Sequence, residues 1–185
     1  MNRKGEVRSL GVPPGIFLRP RLSPDGAQVA IALRRDAQPD IWRFNLSDGV
    51  LQRVTTNAVS DFPEWMPDGR RITFSHIPDD STQYVVDLVA GATPVALFPF
   101  GGSIGSGDVG PPHGYGAFTV FSPKLLPDIW VVHADSLKSP RPLLNEPYRE
   151  ESPRISPDGR FIAYERTAPV GPRSTCNPSP VAIER

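Results

Sequence analysis

The glycine-rich segment GGSIGSGDVG, residues 101–110, fits two residue spacings that are associated with chemistry. The first is G-x-S-x-G, which would present Ser103 as a nucleophile, with Asp128 and His133 following in the order found in hydrolases. That motif lies between a buried strand and a helix, and the following GDVGPPHGYG cannot begin a helix. We therefore predict no catalytic residue in this chain.

The second spacing is G-x-G-x-x-G at residues 105–110, a pattern in which a helix N-terminus binds a dinucleotide pyrophosphate. Pro111 and Pro112 follow at once and prevent the helix that such a site requires. The sequence therefore indicates no nucleotide cofactor. It predicts a long flexible loop here, in place of a strand and a turn.

Metal-ligating residues are few and widely spaced. His76, His113 and His133 lie 37 and 20 residues apart, without the paired short spacing of a metal site. Asp79 and Asp80 lack the alternating oxygen ligands and the glycine of a calcium loop. The single cysteine, Cys176, has no partner for a disulfide or a metal. We predict no bound metal.

Other acidic residues belong to a turn that recurs along the chain as SPDG at 23–26, MPDG at 66–69 and SPDG at 156–159. Pro24 and Pro67 are 43 residues apart, and Pro67 and Pro157 are 90 apart, which is two periods of 45. One copy of the turn should therefore lie near residue 112, and HGYG at 113–116 is expected to form it. PDIW at 39–42 and 127–130, with TQYV at 82–85 midway, repeats at the same interval and indicates a repeat architecture.

Each repeat accommodates four short strands. In SPDG, proline fixes φ and glycine accepts a positive φ, so the turn joins the first two strands. QVAIALR (28–34) is apolar on both faces, as suits a strand stacked between neighbouring sheets, and DIWRFNL (40–46) and LQRV (51–54) supply the next two. Four-stranded repeats of 40 to 50 residues are typical of β-propeller blades, so the fold class is all-β.

The period predicts about 3.5 four-stranded antiparallel blades, which is short of a closed ring. The expected blades are 17–56, 60–100 and 101–145, with a partial fourth at 149–166. Residues 1–16 form an arm in which EVRSL (6–10) is the last strand of a preceding blade, and 167–185 form a disordered or atypical tail. We favour a segment of a larger propeller over a four-blade ring that EVRSL and VAIER (181–185) complete.

Composition excludes several function classes. Twenty Lys and Arg balance twenty Asp and Glu, with a pI near 6.8, so no basic field would attract nucleic acid. No apolar run reaches the roughly 18 residues of a membrane span, and no signal peptide precedes the arm, so the chain as written is expected in the cytoplasm. Trp42, Trp65 and Trp130 are expected to pack at equivalent blade positions.

The repeats resemble TolB-type, WD-like β-propeller repeats, through Ser23–Gly26, Val29–Leu33 and Asp40–Trp42 and their later counterparts. Over about residues 5–166 the order of motifs is similar to the propeller region of bacterial serine/threonine protein kinases with TolB-like repeats. The resemblance implies an extracytoplasmic or periplasmic sensing or protein-binding role. The kinase motifs HRD, DFG and VAIK are absent, and TAPVGPRSTCNPSPVAIER after residue 166 departs from the family pattern.

We therefore expect a non-catalytic module that binds a protein partner or a small ligand on one propeller face. The candidate loops are 34–39, 76–82, 101–116 and 122–127, since loops carry binding residues on a rigid scaffold. The alternatives are the propeller segment of a prolyl oligopeptidase-like serine peptidase, a free TolB-like periplasmic protein, or a decayed gene fragment. Association of two chains to complete a ring stays open.

Overall fold

All regular elements in the described part of the chain are β-strands. The computed structural model describes residues 5, 7, 9–35, 38–76, 82–99, 102–122, 126–134, 138–143, 147–167 and 181–183. These ranges contain no helix that is long and apolar enough to cross a membrane. The all-β expectation is confirmed.

The strands form four antiparallel meanders, which we call blades 1 to 4. Blade 1 contains β1 (Ile16–Leu22), β2 (Gln28–Arg34), β3 (Asp40–Asn45) and β4 (Leu51–Arg53). Blade 2 contains β5 (Ser60–Trp65), β6 (Arg71–His76), β7 (Thr82–Asp87) and β8 (Val95–Pro99). Blade 3 contains β9 (Ser103–Val109), β10 (Tyr115–Phe121), β11 (Asp128–His133) and β12 (Arg141–Pro142). Blade 4 contains β13 (Arg149–Ile155), β14 (Ile162–Thr167) and β15 (Val181–Ile183).

The SPDG turn joins the first two strands of a blade, as predicted. Gly26 N–H donates to the Ser23 carbonyl at 2.8 Å, and Gly26 takes a φ of 70°. The Asp25 carboxylate accepts the Ser23 hydroxyl at 2.6 Å and the Ala27 N–H at 3.0 Å. The hydroxyl hydrogen bond from Ser23 is the main cause that lowers the pKa of Asp25. Repetition of this turn therefore has a structural cause.

The glycine-rich segment of blade 3 corrects the prediction of a loop. It forms β9, the first strand of the blade, where a long flexible loop was expected. Its glycines make room for aromatic rings of neighbouring β10: a Cβ at Gly105 would lie 2.5 Å from Phe121 Cε2, and one at Gly107 would overlap the Phe118 ring. The periodic position alone could not reveal this, because the rings that require glycine come more than ten residues later.

The turn of blade 3 also lies earlier than HGYG. Gly110 N–H donates to the Tyr115 carbonyl at 3.0 Å, as Ser23 N–H donates to Gln28 in blade 1. The turn is therefore Pro111-Pro112-His113, and His113 occupies the place of Gly26 with a φ of 63°. A non-glycine residue in this left-handed region is strained.

The first strand of each blade has a bulge. The register shifts between Leu18 and Arg21, between Asp61 and Glu64, and between Glu151 and Arg154, with an equivalent irregularity in β9. The bulged residues Arg19, Phe62 and Ser152 have φ values of 50°, 54° and 58°, and a proline follows each. Because proline has no N–H for a ladder, it is tolerated at such a bulge.

The core lies between blades, where sheets pack face to face. Ala30, Ala32 and Ile41 of blade 1 pack on a cluster in blade 2 that contains Trp65 and Phe74. A second cluster joins Met66 of blade 2 to apolar residues of blade 3, and a third joins blade 3 to Tyr164 of blade 4. Among the described residues no comparable packing joins blade 4 back to blade 1. The structure is therefore an unclosed, partial propeller.

The chain ends differ in part from expectation. Val181–Ile183 pair antiparallel with β14 and supply a third strand to blade 4, as the ring alternative required. The predicted EVRSL strand is not formed at its described positions, where Val7, Ser9 and Leu10 are exposed and outside any strand. Residues 168–180, 184 and 185 of the predicted tail, with Glu6 and Arg8, lie outside the described residues.

Candidate binding site at the propeller axis

The first strands of the four blades converge on a cavity of about 420 Å³, which we call the axial cavity. Its rim consists of prolines from the repeated turns: Pro24, Pro67, Pro111, Pro112 and Pro157. Leu22, Trp65, Val109 and Ile155 add apolar surface. Concave, partly apolar surfaces with a few polar groups are typical of binding sites.

A charged residue occupies the same place in every first strand, three positions before the turn proline. These residues, which we call the charged layer, are Arg21, Glu64, Asp108 and Arg154. The first three line the axial cavity. The layer therefore contains two cations and two anions, and no two consecutive blades have the same side chain at this place.

The charged layer also ties neighbouring blades together. Arg21 Nε donates to Glu64 Oε1 at 2.6 Å, between blades 1 and 2. Asp108 Oδ2 accepts the Ile155 N–H at 2.8 Å, and an Arg154 guanidinium N–H donates to the Gly107 carbonyl at 2.8 Å, between blades 3 and 4. Charge-assisted hydrogen bonds of this kind orient their groups strongly.

Glu64 is the most buried member of the charged layer, with a side chain 4% exposed. Burial raises its pKa to about 8, although the charge of Arg21 and its hydrogen bond act in the opposite direction. Asp108 adds to the rise, and Arg154 reduces it. Near neutral pH this carboxyl group therefore holds a proton readily, which desolvation favours.

A second ion pair joins blades 1 and 2 beside the bulges. Arg19 donates to the Asp61 carboxylate at 2.9 Å, and its guanidinium lies 3.8 Å from the centre of the Phe62 ring. Asp61 is nearly buried, and burial is the main cause that raises its pKa. Both ion pairs fix β1 against β5.

Trp65 differs from the other two tryptophans, which corrects their predicted equivalence. Trp42 and Trp130 lie on the third strands β3 and β11 and are half-buried. Trp65 lies on the first strand β5, lines the axial cavity, and donates its indole N–H to the Arg21 carbonyl at 2.9 Å. Its position directly before MPDG, and not within a DIW motif, is the signal that distinguishes it.

The residues of the hydrolase-like pattern are not brought together. Ser103 begins β9, and the strand continues through the second glycine pattern to Val109. Asp128 and His133 lie at opposite ends of β11, paired with Val120 and Tyr115. At about 3.4 Å per residue they are about 17 Å apart along the strand.

The histidines lie apart from one another. The His76 ring stacks on Tyr84 with centroids 4.0 Å apart, and His133 meets the edge of Tyr115 at 6.1 Å. Within the described ranges no three or more His, Cys, Asp or Glu side chains are grouped to hold a metal ion. Asp79, Asp80 and Cys176 lie outside those ranges.

The aspartates of the two DIW motifs both lie where one blade connects to or contacts the next. Asp40 is buried and accepts the Thr55 hydroxyl and the Ala58 N–H, both at 2.9 Å, and it pairs with Arg53. These bonds fix the connection from blade 1 to blade 2. Asp128 accepts the Ile129 N–H at 2.8 Å and lies beside Glu150 of blade 4, whose N–H donates to the Pro127 carbonyl at 2.8 Å.

Three of the predicted binding loops lie at the other face of the blades. Residues 34–39, 76–82 and 122–127 join the second and third strands, so in antiparallel blades they lie opposite the SPDG turns. Parts of these loops, at 36–37, 77–81 and 123–125, fall outside the described residues. The fourth loop, 101–116, is largely β9 and its turn.

Sequence reasoning missed the charged layer, although a signal for it exists. RPR at 19–21, FPE at 62–64 and SPR at 152–154 repeat with the spacing of the turns. Each places a bulge proline directly before the charged residue. A proline in the middle of a strand, followed directly by a charged residue, therefore indicates the strand that lies at the propeller axis.

Comparisons with known proteins agree with this geometry. The family profile of the TolB beta propeller domain matches residues 3–175. No curated protein matches the chain significantly. The structure is similar to TolB from Acinetobacter baumannii (TM-score 0.78, 18% identity, 98% of this chain and 44% of that one). It is also similar to a TolB from Agrobacterium tumefaciens (TM-score 0.69, 25% identity, 80% and 53%).

A third solved structure has the same fold at lower identity. The β-propeller domain of the Trilobed protease from Pyrococcus furiosus, with an open velcro topology, aligns at a TM-score of 0.65 and 16% identity, over 92% of this chain and 55% of that one. The present chain thus spans about half the length of these structures. With a profile match over nearly its whole length, the chain belongs to the TolB β-propeller domain family.

Proposed function

We propose that the protein is a non-catalytic binding module whose axial cavity recognises an extended segment of a protein partner. The observation that carries this proposal is the charged layer. The SPDG turn requires serine, proline, aspartate and glycine for its own geometry, but it requires no charge three residues earlier. Charges of both signs at this one place make an asymmetric site at the axis, which favours a ligand bound in one direction.

The rim supports a ligand that is longer than the cavity. Leu22 is 60% exposed and continues the proline rim outward from the cavity. Exposed apolar surface beside a polar recess is typical of peptide and protein recognition. The zero net charge of the chain gives no reason to expect nucleic acid.

Selection of peptides tests this function. A displayed library of random peptides is selected on the intact chain, and each enriched peptide is titrated by calorimetry. Leu22→Glu places a charge on the rim without breaking a described ion pair, and we expect it to weaken binding at least tenfold. Val89→Glu is the control, because Val89 is 69% exposed and lies away from the axial cavity.

The outcomes separate clearly. Peptides that bind the wild type and Val89→Glu equally, but not Leu22→Glu, support the axial site. Failure to enrich any peptide, or binding that Leu22→Glu does not change, contradicts it. A small ligand remains the competing occupant, and a screen of metabolites against the same two variants distinguishes it.

We propose further that this module is the sensing part of a larger bacterial polypeptide that contains a serine/threonine kinase. The order of SPDG, DIW and FPEWMPDG motifs supports this proposal. The sequence of the flanking gene tests it: a kinase domain and a membrane span upstream would agree. An α/β-hydrolase domain downstream would contradict it in favour of a peptidase propeller, and an uninterrupted series of blades would favour a free TolB-like protein.

A further inference from the structure

Two carboxyl groups face each other across the junction of blades 3 and 4. Asp128 is the first residue of β11, and Glu150 lies near the start of β13 with only 1% of the residue exposed. The Glu150 N–H donates to the Pro127 carbonyl at 2.8 Å, which places Glu150 beside Asp128, and each carboxyl group affects the pKa of the other. A hydrogen bond between two carboxyl groups needs a proton on one of them, because ionised carboxylates only accept.

The groups around the pair come from β14. Arg166 Nε lies 3.6 Å from Glu150 Oε1, and the Arg166 guanidinium stacks 3.8 Å from the centre of the Tyr148 ring. The Tyr164 hydroxyl is buried and has no hydrogen-bond partner among the described residues, and both carboxyl groups contribute to raising its pKa after burial itself. From β9, Asp108 accepts the Ile155 N–H at the far end of β13.

These groups are electrically balanced when the pair holds one proton. One carboxylate then opposes the positive charge of Arg166, and the buried cluster is neutral. Loss of the proton leaves two adjacent carboxylates and a net negative charge in a desolvated place. Burial, and then the hydrogen bond and charge of Asp128, raise the pKa of Glu150 to about 7. Burial also raises the pKa of Asp128.

We propose that Asp128 and Glu150 form a proton-dependent latch that holds β13 and β14 of blade 4 against blade 3 and weakens as pH rises through neutrality. The same strand β13 ends at Ile155, which lines the axial cavity. Release of the latch therefore loosens one wall of that cavity. The evidence for the latch comes from the contacts between blades 3 and 4, so this proposal does not depend on what the axial cavity binds.

The direction of the pH effect follows from proton binding. An unfolded glutamate ionises near its ordinary pKa of 4.5, whereas Glu150 in the folded protein keeps its proton to about pH 7. The folded state thus holds more protons between these values, so its stability falls as pH rises through this window and changes little above it. For these two pKa values the linkage relation gives about a tenfold loss between pH 6 and pH 8.

Hydrogen exchange on the intact chain tests the latch. We measure the protection of amides in 149–167 relative to amides in 40–45 of blade 1, from pH 5 to pH 8.5, after correction for intrinsic exchange rates. In the wild type this ratio should fall about tenfold between pH 6 and pH 8. Glu150→Gln retains a donor toward Asp128 but has no proton to lose, and it should abolish the fall.

Glu151→Gln is the matched control, because Glu151 is adjacent, 27% exposed and paired with Arg149. It should keep the wild-type fall. A pH-independent ratio in the wild type overturns the latch, as does a fall that persists in Glu150→Gln or disappears in Glu151→Gln. If Glu150→Gln does not fold, Asp128→Asn replaces it. Burial still raises the pKa of Glu150 in that variant, so the fall should be smaller than in the wild type, and an unchanged fall overturns the latch.

Discussion

Blades 1 and 3 share a repeat but differ at two of its positions. The DIW aspartate of blade 1, Asp40, receives a cation and two neutral donors, whereas that of blade 3, Asp128, faces another carboxyl group. The turn position held by Gly26 in blade 1 is held by His113 in blade 3. The repeat thus fixes where a residue lies, whereas the groups around that residue differ from one blade to the next.

The largest effect that separates the two blades is expected from Asp40→Ala. It leaves Arg53, the Thr55 hydroxyl and the Ala58 N–H without their acceptor. Since most of this site is buried, we expect a loss of about 3 kcal/mol in the free energy of unfolding. Urea unfolding at pH 7 measures it. Asp128→Ala is the matched comparison, and an equal or larger loss there would break the contrast between the two aspartates.

Arg21→Met sharpens the comparison with an intermediate case, because Glu64 is buried like Glu150 yet paired with a cation like Asp40. At pH 9, where Glu64 is ionised, we expect a loss of about 2 kcal/mol, since a buried carboxylate loses its partner. At pH 6 the loss should be smaller because Glu64 holds a proton. Urea unfolding at both pH values measures the difference, and a loss independent of pH would contradict the raised pKa of Glu64.

A smaller effect, opposite in sign, is expected from Glu150→Gln. At pH 8 the wild type carries two facing carboxylates, so the variant should unfold at a higher urea concentration than the wild type. At pH 5 the wild-type pair holds its proton, and the two proteins should unfold at similar concentrations. The Glu151→Gln control should show no such crossover. Destabilisation of Glu150→Gln at pH 8 would show that Arg166 alone balances the pair.

The smallest effect concerns the turn. His113→Gly removes the strain of a non-glycine residue at a φ of 63° and should stabilise the protein by about 0.5 to 1 kcal/mol, after the greater freedom of glycine in the unfolded chain is allowed for. Thermal unfolding measures this as a rise of about 2 °C. Gly26→His in blade 1 is the reciprocal change and should destabilise. No gain in the first variant would mean that contacts of His113 offset the strain.

The fold could be predicted because its signals are local and periodic. Ser23, Pro24, Asp25 and Gly26 make their turn largely with one another, so three copies in sequence mark three places in space. The apolar residues of β2 likewise predicted a strand that packs against a neighbouring sheet, and Ala30 and Ala32 do pack on blade 2.

The parts that could not be predicted depend on partners distant in sequence. The glycines of β9 are explained by the rings of Phe118 and Phe121, and the proton affinity of Glu150 by Asp128 in the neighbouring blade. The charged layer has a repeated sequence signal, but its meaning appears only when the four first strands meet. Periodicity predicts the position of a residue along a blade. Its packing and its proton affinity depend on residues that are distant in sequence.

A double-mutant cycle between Arg21 and Glu64 tests most directly the central claim that first strands of successive blades meet at a charged axis. These residues are 43 positions apart in sequence and 2.6 Å apart in the structure. Arg21→Met, Glu64→Gln and the double variant are compared by urea unfolding at pH 9. We predict a coupling energy of about 1 to 2 kcal/mol, and none between Arg21 and the exposed Asp48. Additive effects of Arg21→Met and Glu64→Gln would contradict the account.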